Sequence, residues 1–373
     1  MPRFFEFFSG GGMARLGLGD GWSCGFANDI CGKKVSTYVE NFGGHEIVQE
    51  DIYKLNASSL PGKADLIWGS FPCQDLSLAG SGAGLGGDRS STFNKLISIV
   101  KELKVEERSP NLIVLENVVG AITSHQGKDF EAIIEALTCL GYYPGCVVVD
   151  GVSFVPQSRP RLFIIATKTQ MNQFTSITSE EPIAAWHPQN LVNAHASLPD
   201  RLKEKWVWWS MPVPPMRDRD LVDIIEPSPT DVRELDSSQV KRLVSMMSET
   251  NLKKLHKAKQ ENRLVAGGLY KRVRRQKDGS KLQRAEIRFD GIAGCLRTPT
   301  GGSSRQTLIL VENNTVKARL LSRREAARLM GVPEDYKLPA RYNDAYHVFG
   351  DGLVVPAVSW IEKHLLKPIY DAS

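Results

Sequence analysis

The stretch Arg3-Phe4-Phe5-Glu6-Phe7-Phe8-Ser9-Gly10-Gly11-Gly12-Met13-Ala14-Arg15-Leu16-Gly17-Leu18 decides the fold. An aromatic-rich run gives way to a glycine turn, and Met13, Leu16 and Leu18 then follow a helical pattern, so a strand over Arg3 to Phe8 hands over to a helix. Glycines at such a turn let a ligand approach the backbone, while the helix N-terminus presents unpaired N–H groups. Working outward, the same alternation continues. Ser23 to Ala27, Ala64 to Gly69 and Asn111 to Leu115 read as strands, and Lys33 to Asn41, Thr92 to Leu103 and Phe130 to Leu140 as helices. Tyr143 to Val149 and Arg161 to Thr167 read as two more strands. This spacing predicts a doubly wound, Rossmann-like α/β sheet with its ligand outside the carboxyl ends of the strands.

Past Thr167 the pattern changes. Pro182 to Pro229 is rich in Pro and Trp, including Trp206, Trp208 and Trp209, and helical spacing follows through Val240, Leu243, Leu252 and Leu255. Regular periodicity returns at Leu320, and Pro356 to Ile369 reads as an amphipathic helix. The expected organisation is a catalytic domain over 1–185, an irregular inserted module over 186–318, and a segment over 319–373 that completes the first domain.

Composition sets the remaining bounds. With 42% hydrophobic and 24% charged residues in 373, the chain can bury a core, which excludes disorder over most of its length. No apolar run approaches the ~20 residues of a membrane span, and Met1 to Glu6 lacks a signal-peptide layout. Six cysteines without a Cys-x-x-Cys pair argue against a disulfide scaffold and a structural zinc site. A reducing cytosol is expected, with no metal. The net charge of +5 is uneven: residues 251–290 carry thirteen Lys/Arg against four Asp/Glu. That asymmetry suggests a polyanion partner, with a solvated helical face as the alternative for the run Lys271 to Lys277.

The candidate sites sit at predicted strand ends. Asp29 and Asp51 follow the glycine turn, and a carboxylate about 20 residues beyond such a turn suits ribose hydroxyls. The third glycine of the dinucleotide fingerprint is missing, so the ligand need not be a dinucleotide. Cys73, in Gly69-Ser70-Phe71-Pro72-Cys73-Gln74, lies where α/β enzymes place reacting groups, on a turn stiffened by Pro72, although a lone cysteine reads by default as a buried structural one. Glu116-Asn117-Val118 ends the next strand with a carboxyl directly after four apolar residues, whose pKa would rise if it were buried unpaired. Gln157-Ser158-Arg159-Pro160-Arg161 enters the last strand with two guanidiniums spaced for one face.

Together these blocks resemble the DNA (cytosine-5) methyltransferases. Phe8, Gly10 and Gly12 are similar to that family's cofactor loop, Asp29 with Ile30 to its ribose-binding acid and neighbour, and Asp51-Ile52 to its adenine contact. Phe71-Pro72-Cys73-Gln74, Glu116-Asn117-Val118 and Gln157-x-Arg159-x-Arg161 resemble its catalytic blocks. Arg319 to Gly331 resembles the helix that organises its recognition domain. Some positions depart from the pattern: Asp29 stands for the usual Glu, Ile30 for an aromatic, Met13 for a glycine, and Gly350-Asp351-Gly352-Leu353 for Gly-Asn-Ser/Ala-Val.

The resemblance implies S-adenosyl-L-methionine as cofactor and double-stranded DNA as substrate. It implies Cys73 as a nucleophile toward C6 of a flipped-out cytosine, with Glu116 bonding the ring and Arg161 orienting it. Arg159 would add positive potential, and Asn117 would orient the catalytic loop. The glycine-rich stretch Ser77 to Ser91 would close over the base. Residues 186–318 would recognise the target, with Lys271, Arg272, Arg274, Arg275 and Arg305 as phosphate or guanine contacts. The three tryptophans would form a small core rather than stack on bases. A monomer in the bacterial cytoplasm near the nucleoid, partnered with a cognate restriction endonuclease, completes the expectation. The alternatives are an RNA-directed relative and a catalytically silent DNA-binding homologue.

Overall fold

The computed structural model describes residues 1–72, 92–169, 175–275, 279–298 and 305–372. It divides into two compact units, residues 1–150, 160–214 and 355–373 in the first, and 151–159 and 215–354 in the second.

The first unit holds a seven-stranded sheet in the order β3-β2-β1-β4-β5-β7-β6. Its strands are β1 (Arg3–Phe7), β2 (Ser23–Asp29), β3 (Ile47–Gln49), β4 (Leu66–Gly69), β5 (Leu112–Val118), β6 (Tyr143–Asp150) and β7 (Pro160–Thr167). In β1, β4 and β5, Phe4, Phe5, Phe7, Leu66, Ile67, Trp68 and Leu112 to Leu115 are at most 1% exposed. Burial on both faces is why these strands read as continuous apolar runs rather than as alternation. β3, β2, β1, β4 and β5 pair in parallel, whereas β7 runs antiparallel to both β5 and β6. The parallel pairs need long crossovers, and α1 (Met13–Leu18) links β1 to β2, α2 (Gly32–Phe42) links β2 to β3 and α3 (Thr92–Val105) links β4 to β5, while α4 (Lys128–Cys139) leads from β5 to β6. The short link 151–159 between β6 and β7 permits the reversal. α3 buries Phe93, Leu96, Ile97, Val100 and Leu103, the one-sided stripe its sequence spacing predicts.

The tryptophan-rich segment also belongs to this unit. β8 (Thr178–Ser179) pairs with β9 (Trp208–Trp209), and α5 (Gln189–Ala196) and α6 (Asp200–Lys203) lie between them in the chain. Trp209 is fully buried and donates from Nε1 to the Ile165 carbonyl at 3.0 Å. Gly145 is needed opposite, because a Cβ there would stand 2.1 Å from the Val207 carbonyl. Trp206 and Trp208 meet edge to face at 5.3 Å, as a small aromatic core. The boundary expected at 185/186 therefore falls at 214 instead, because these residues pack on β6 and β7.

The second unit contains α7 (Ser237–Ser245), α8 (Glu249–Lys259) and an antiparallel four-stranded sheet in the order β11-β10-β12-β13. Its strands are β10 (Val265–Arg275), β11 (Lys281–Arg288), β12 (Thr307–Glu312) and β13 (Thr315–Leu320). Leu243, Met247, Leu255, Leu269, Ala285, Ile287, Ile309 and Ala318 form its core. The basic stretch from Lys271 to Arg275 is thus strand, not a helical face; alternating side chains on an extended ribbon expose the same charges. α9 (Arg323–Arg328) opens with Ser322 in a capping box with Glu325. Glu325 also takes both ends of the Arg319 guanidinium at 2.6 and 2.7 Å, with both side chains at most 2% exposed. This ties α9 to β13, and α10 (Tyr342–Asp351) follows. Residues 319–354 consequently belong to this unit, not to a segment completing the first. The chain returns to the first unit at 355, where α11 (Val355–Ile361), a π-helical turn over Glu362–Leu366 and α12 (Lys367–Asp371) form the expected closing helix. Ser359 of α11 donates to the Gly17 carbonyl of α1 at 2.9 Å.

Candidate functional site

β1, β2, β4 and β5 are parallel, so their carboxyl ends share one edge of the sheet. The order reverses between β1 and β4, which is where α/β sheets open a ligand crevice. After β1, Phe8, Gly10 and Gly12 adopt φ values of 58, 57 and 80°, turning the backbone sharply into α1. The Gly10 N–H donates to Asp29 Oδ2 at 2.9 Å, and the Cys31 N–H donates to Oδ1 at 2.8 Å. Asp29 is thereby held at the end of β2 beside the glycine turn, and each carboxylate oxygen keeps a lone pair for a further donor. Ile30, next to it, is 65% exposed. Asp51 caps the turn Ile52–Lys54 by accepting from the Tyr53 N–H at 3.1 Å, while Ile52 packs into the core.

Sequence reasoning passed over Glu6 and Ser9. Glu6 lies in β1 and Ser9 in the turn after it; both are buried, and Glu6 Oε2 and Ser9 Oγ have no hydrogen-bond partner among the described residues. Burial pushes the Glu6 carboxyl up to about 8, against the attraction of Arg15 and with a smaller upward push from Asp29. The available signal was a single acid inside the apolar run Phe4-Phe5-Glu6-Phe7-Phe8.

At the end of β4, Phe71 is buried, with its ring centre 5.4 Å from that of Phe93. Pro72 is exposed, and Cys73 lies outside the described residues, as do Ser77 to Ser91. On neighbouring β5, Asn117 donates from Nδ2 to the Phe71 carbonyl at 3.1 Å and accepts from the Val118 N–H at 2.9 Å. The segment that leads to Cys73 is therefore tied to β5. Glu116, 6% exposed, meets Arg161 of β7 at 3.0 Å from Oε1 to Nε. The carboxyl expected to be desolvated is desolvated, but it is paired. Arg161 can reach it because the reversed β7 starts where β5 ends, with Arg161 opposite Val118.

Arg159 differs from its expected place. It precedes β7, so strand alternation does not put it on one face with Arg161. In the second unit its guanidinium is 1% exposed and donates to the carbonyls of Leu296, Gly350 and Gly352 at 2.7 to 3.1 Å. It is occupied in holding backbone. Gln157 is buried likewise, donating to the Leu329 carbonyl at 2.7 Å and accepting from the Leu296 N–H at 2.8 Å. Asp351 is exposed at the end of α10. Of the expected DNA contacts, Lys271, Arg272, Arg274 and Arg275 are exposed on β10, and Arg305 donates to Asn343 at 2.7 Å. Gly301 to Ser304 lie outside the described residues.

The model of the family described as C-5 cytosine-specific DNA methylase matches residues 2–367. The chain belongs to that family. The cytosine-specific methylase is 27% identical over 359 residues to the Type II methyltransferase M.BsuFI of Bacillus subtilis, covering 95% of this chain and 70% of that one. It is 25% identical to the Type II methyltransferase M.HhaI of Haemophilus parahaemolyticus, covering 96% and 92%. In fold it is similar to a Spodoptera frugiperda DNMT2 variant, with a TM-score of 0.61, 16% identity and coverage of 99% and 100%. The S. pombe Dnmt2 methyltransferase gives a TM-score of 0.58 at 18% identity, covering 99% of each chain. The enzyme is a DNA cytosine-5 methyltransferase. None of the helices among its described residues is long and apolar enough to cross a membrane.

The residues of this methylase fit the cofactor its family generally uses, S-adenosyl-L-methionine. Asp29 keeps acceptor lone pairs beside the glycine turn, a Cβ on Gly10 would meet nothing within 4 Å, and the Ser9 hydroxyl in that turn has no partner among the described residues.

Proposed function

We propose that this chain is a sequence-specific enzyme that methylates C5 of a cytosine flipped out of duplex DNA, with Cys73 as the nucleophile. The observation that carries the reading is the buried Glu116–Arg161 pair, 3.0 Å apart, on the sheet edge where Asn117 ties down the segment leading to Cys73. S-Adenosyl-L-methionine, held by the Phe8 to Gly12 turn, Asp29, Ile30 and the Asp51-Ile52 turn with Phe71 and Pro72 alongside, supplies a methyl group on a sulfonium.

C5 of cytosine is a poor nucleophile. Addition of the Cys73 thiolate at C6 pushes electron density onto C5, N3 and O2, which makes C5 an enamine carbon able to take a methyl group. Glu116 bonds N3 and N4, sharing a proton with N3 and offsetting the charge that develops in the ring. Arg161 turns its remaining N–H groups toward O2 and, as a nearby cation, favours the thiolate of Cys73. Once C5 carries the methyl group, a base removes its proton, the C6–S bond breaks, and Cys73 leaves as thiolate. Because these groups must reach both faces of the ring, the base has to leave the helix stack. Residues 215–354 read the target, and the Type II names of its relatives support a cognate restriction endonuclease.

The test is covalent trapping. With labelled cofactor and a duplex carrying 5-fluorocytosine, fluorine cannot leave as the proton does, so an adduct through Cys73 should survive denaturation. Cys73→Ser should give neither adduct nor tritium transfer to DNA. Transfer to tRNA but not DNA, or normal turnover by Cys73→Ser, refutes the reading.

A further inference from the structure

The hairpin formed by β10 and β11 continues past its core. Leu269, Ala285 and Ile287 are buried, whereas residues 271–275 and 281–283 are all exposed, with Val273 at 61% and Leu282 at 41%. The outer part is a two-stranded ribbon bearing Lys271, Arg272, Arg274, Arg275, Lys281 and Arg284 with Glu286 as its acid. Such a ribbon is narrow enough for the ~12 Å major groove.

Its two faces differ in electrostatics. The register Tyr270↔Glu286, Arg272↔Arg284, Arg274↔Leu282 places these six side chains on one face. Glu286 there holds two guanidiniums at once. Arg274 approaches Oε1 at 2.6 Å from Nε and 2.5 Å from Nη2, and Arg272 approaches Oε2 at 3.5 Å. The Arg272 guanidinium also lies 5.6 Å from the Tyr270 ring centre. The opposite face carries Lys271, Val273, Arg275, Lys281 and Gln283, and its three cations make no ion pair among the described residues.

A carboxylate between two arginines repels phosphate and fixes their side-chain torsions. Arg274 spends its Nε and one side of Nη2 on Glu286, which leaves its Nη1/Nη2 edge pre-aimed, the fork that fits guanine O6 and N7. Leu282, directly across the ribbon, offers an apolar surface of the kind that meets a thymine methyl. Cations without a carboxylate suit phosphate, where direction matters less.

We propose that the β10–β11 ribbon enters the major groove of the target, that Arg274 reads a guanine, and that Glu286 is the positioning residue that aims it. Lys271, Arg275 and Lys281 neutralise phosphates. This rests on the DNA methyltransferase reading above and assigns its target choice to named side chains.

The test uses the full-length enzyme on a pool of random duplexes, with methylated positions read by bisulfite sequencing and binding measured against salt. Arg274→Ala and Arg274→Lys should each relax selection at one base pair by about ten-fold or more, the cost of a lost bidentate contact. Glu286→Gln should relax the same base pair by less while steepening the salt dependence, since it removes a charge that repels phosphate. Lys271→Ala should lower kcat/KM for all sequences alike and flatten the slope of log K against log salt by about 0.9. An unchanged sequence profile in Arg274→Ala, or a relaxation in Glu286→Gln at a different position, overturns the proposal. If the wild-type enzyme methylates no duplex at all, the DNA reading fails first and this assignment goes with it. A defined wild-type site that survives Arg274→Ala refutes this assignment alone.

Discussion

Replacing Glu6 by Gln should make the enzyme's stability less dependent on pH, and the size of the effect follows from where Glu6 sits. Its carboxyl is 2% exposed in β1, with Oε2 unpartnered, and burial lifts it from 4.5 to about 8. In the unfolded chain Glu6 ionises near 4.5, whereas the native protein holds the proton until about 8. Between these values the native state binds one proton more, so stability falls as pH rises and levels off above the upper value. A displacement of that size corresponds to at most about 5 kcal/mol, or a slope near 1.4 kcal/mol per pH unit. Neighbouring Cys24, pushed up to about 11, and Tyr38, raised further, stay protonated throughout this window. Arg15, raised above its ordinary value, keeps its charge. Glu6→Gln keeps the shape and removes the titration. Urea unfolding of cofactor-free wild type and variant at intervals from about pH 5 to about pH 9 should show wild type losing ground steadily up to about pH 8. A stability gap between the two that does not change with pH would refute the reasoning.

Two further perturbations probe the sheet edge. Asp29→Ala removes the acceptor of two backbone N–H groups and, by the proposed role, of a ribose hydroxyl. Titration calorimetry with S-adenosyl-L-homocysteine should show affinity weakened about ten-fold or more, and an unchanged Kd would remove Asp29 from the cofactor site. Asn117→Ala leaves the Phe71 carbonyl without its donor at a cost of about 1–3 kcal/mol. It should lower kcat while sparing KM for the cofactor, as initial rates would reveal, and an unaltered kcat would separate this bond from the catalytic segment.

Much of the candidate site was legible because the proposed chemistry falls to short local blocks. A Cys after a proline turn, a Glu-Asn pair closing an apolar strand and a Gln-x-Arg-x-Arg run are each visible without knowing their neighbours. What these groups pair with was not legible. Glu116 read as a carboxyl whose pKa would rise if it were buried unpaired, and only the reversed β7 brings Arg161 to it. Arg159 and Arg161 read as two guanidiniums on one face, yet one holds backbone carbonyls and the other meets a carboxylate. Glu286, one acid in a basic tract, had no visible role until the register of β10 and β11 put it under Arg272 and Arg274.

The sequence alone determined the alternation of buried strands and amphipathic helices in the first 167 residues, since a strand covered on both faces must be apolar along its length. It also determined the order of the chemical blocks and the site of the excess positive charge. Tertiary structure decided the direction of β7, the attachment of the tryptophan segment to the sheet, and the inclusion of residues 319–354 in the second unit. It also decided which arginine meets which acid. The physical reason is range: hydrophobic period is a property of adjacent residues, whereas the partner of a charge is chosen by groups elsewhere in the chain, 12 residues away for Arg274 and Glu286 and 191 for Arg159 and the Gly350 carbonyl.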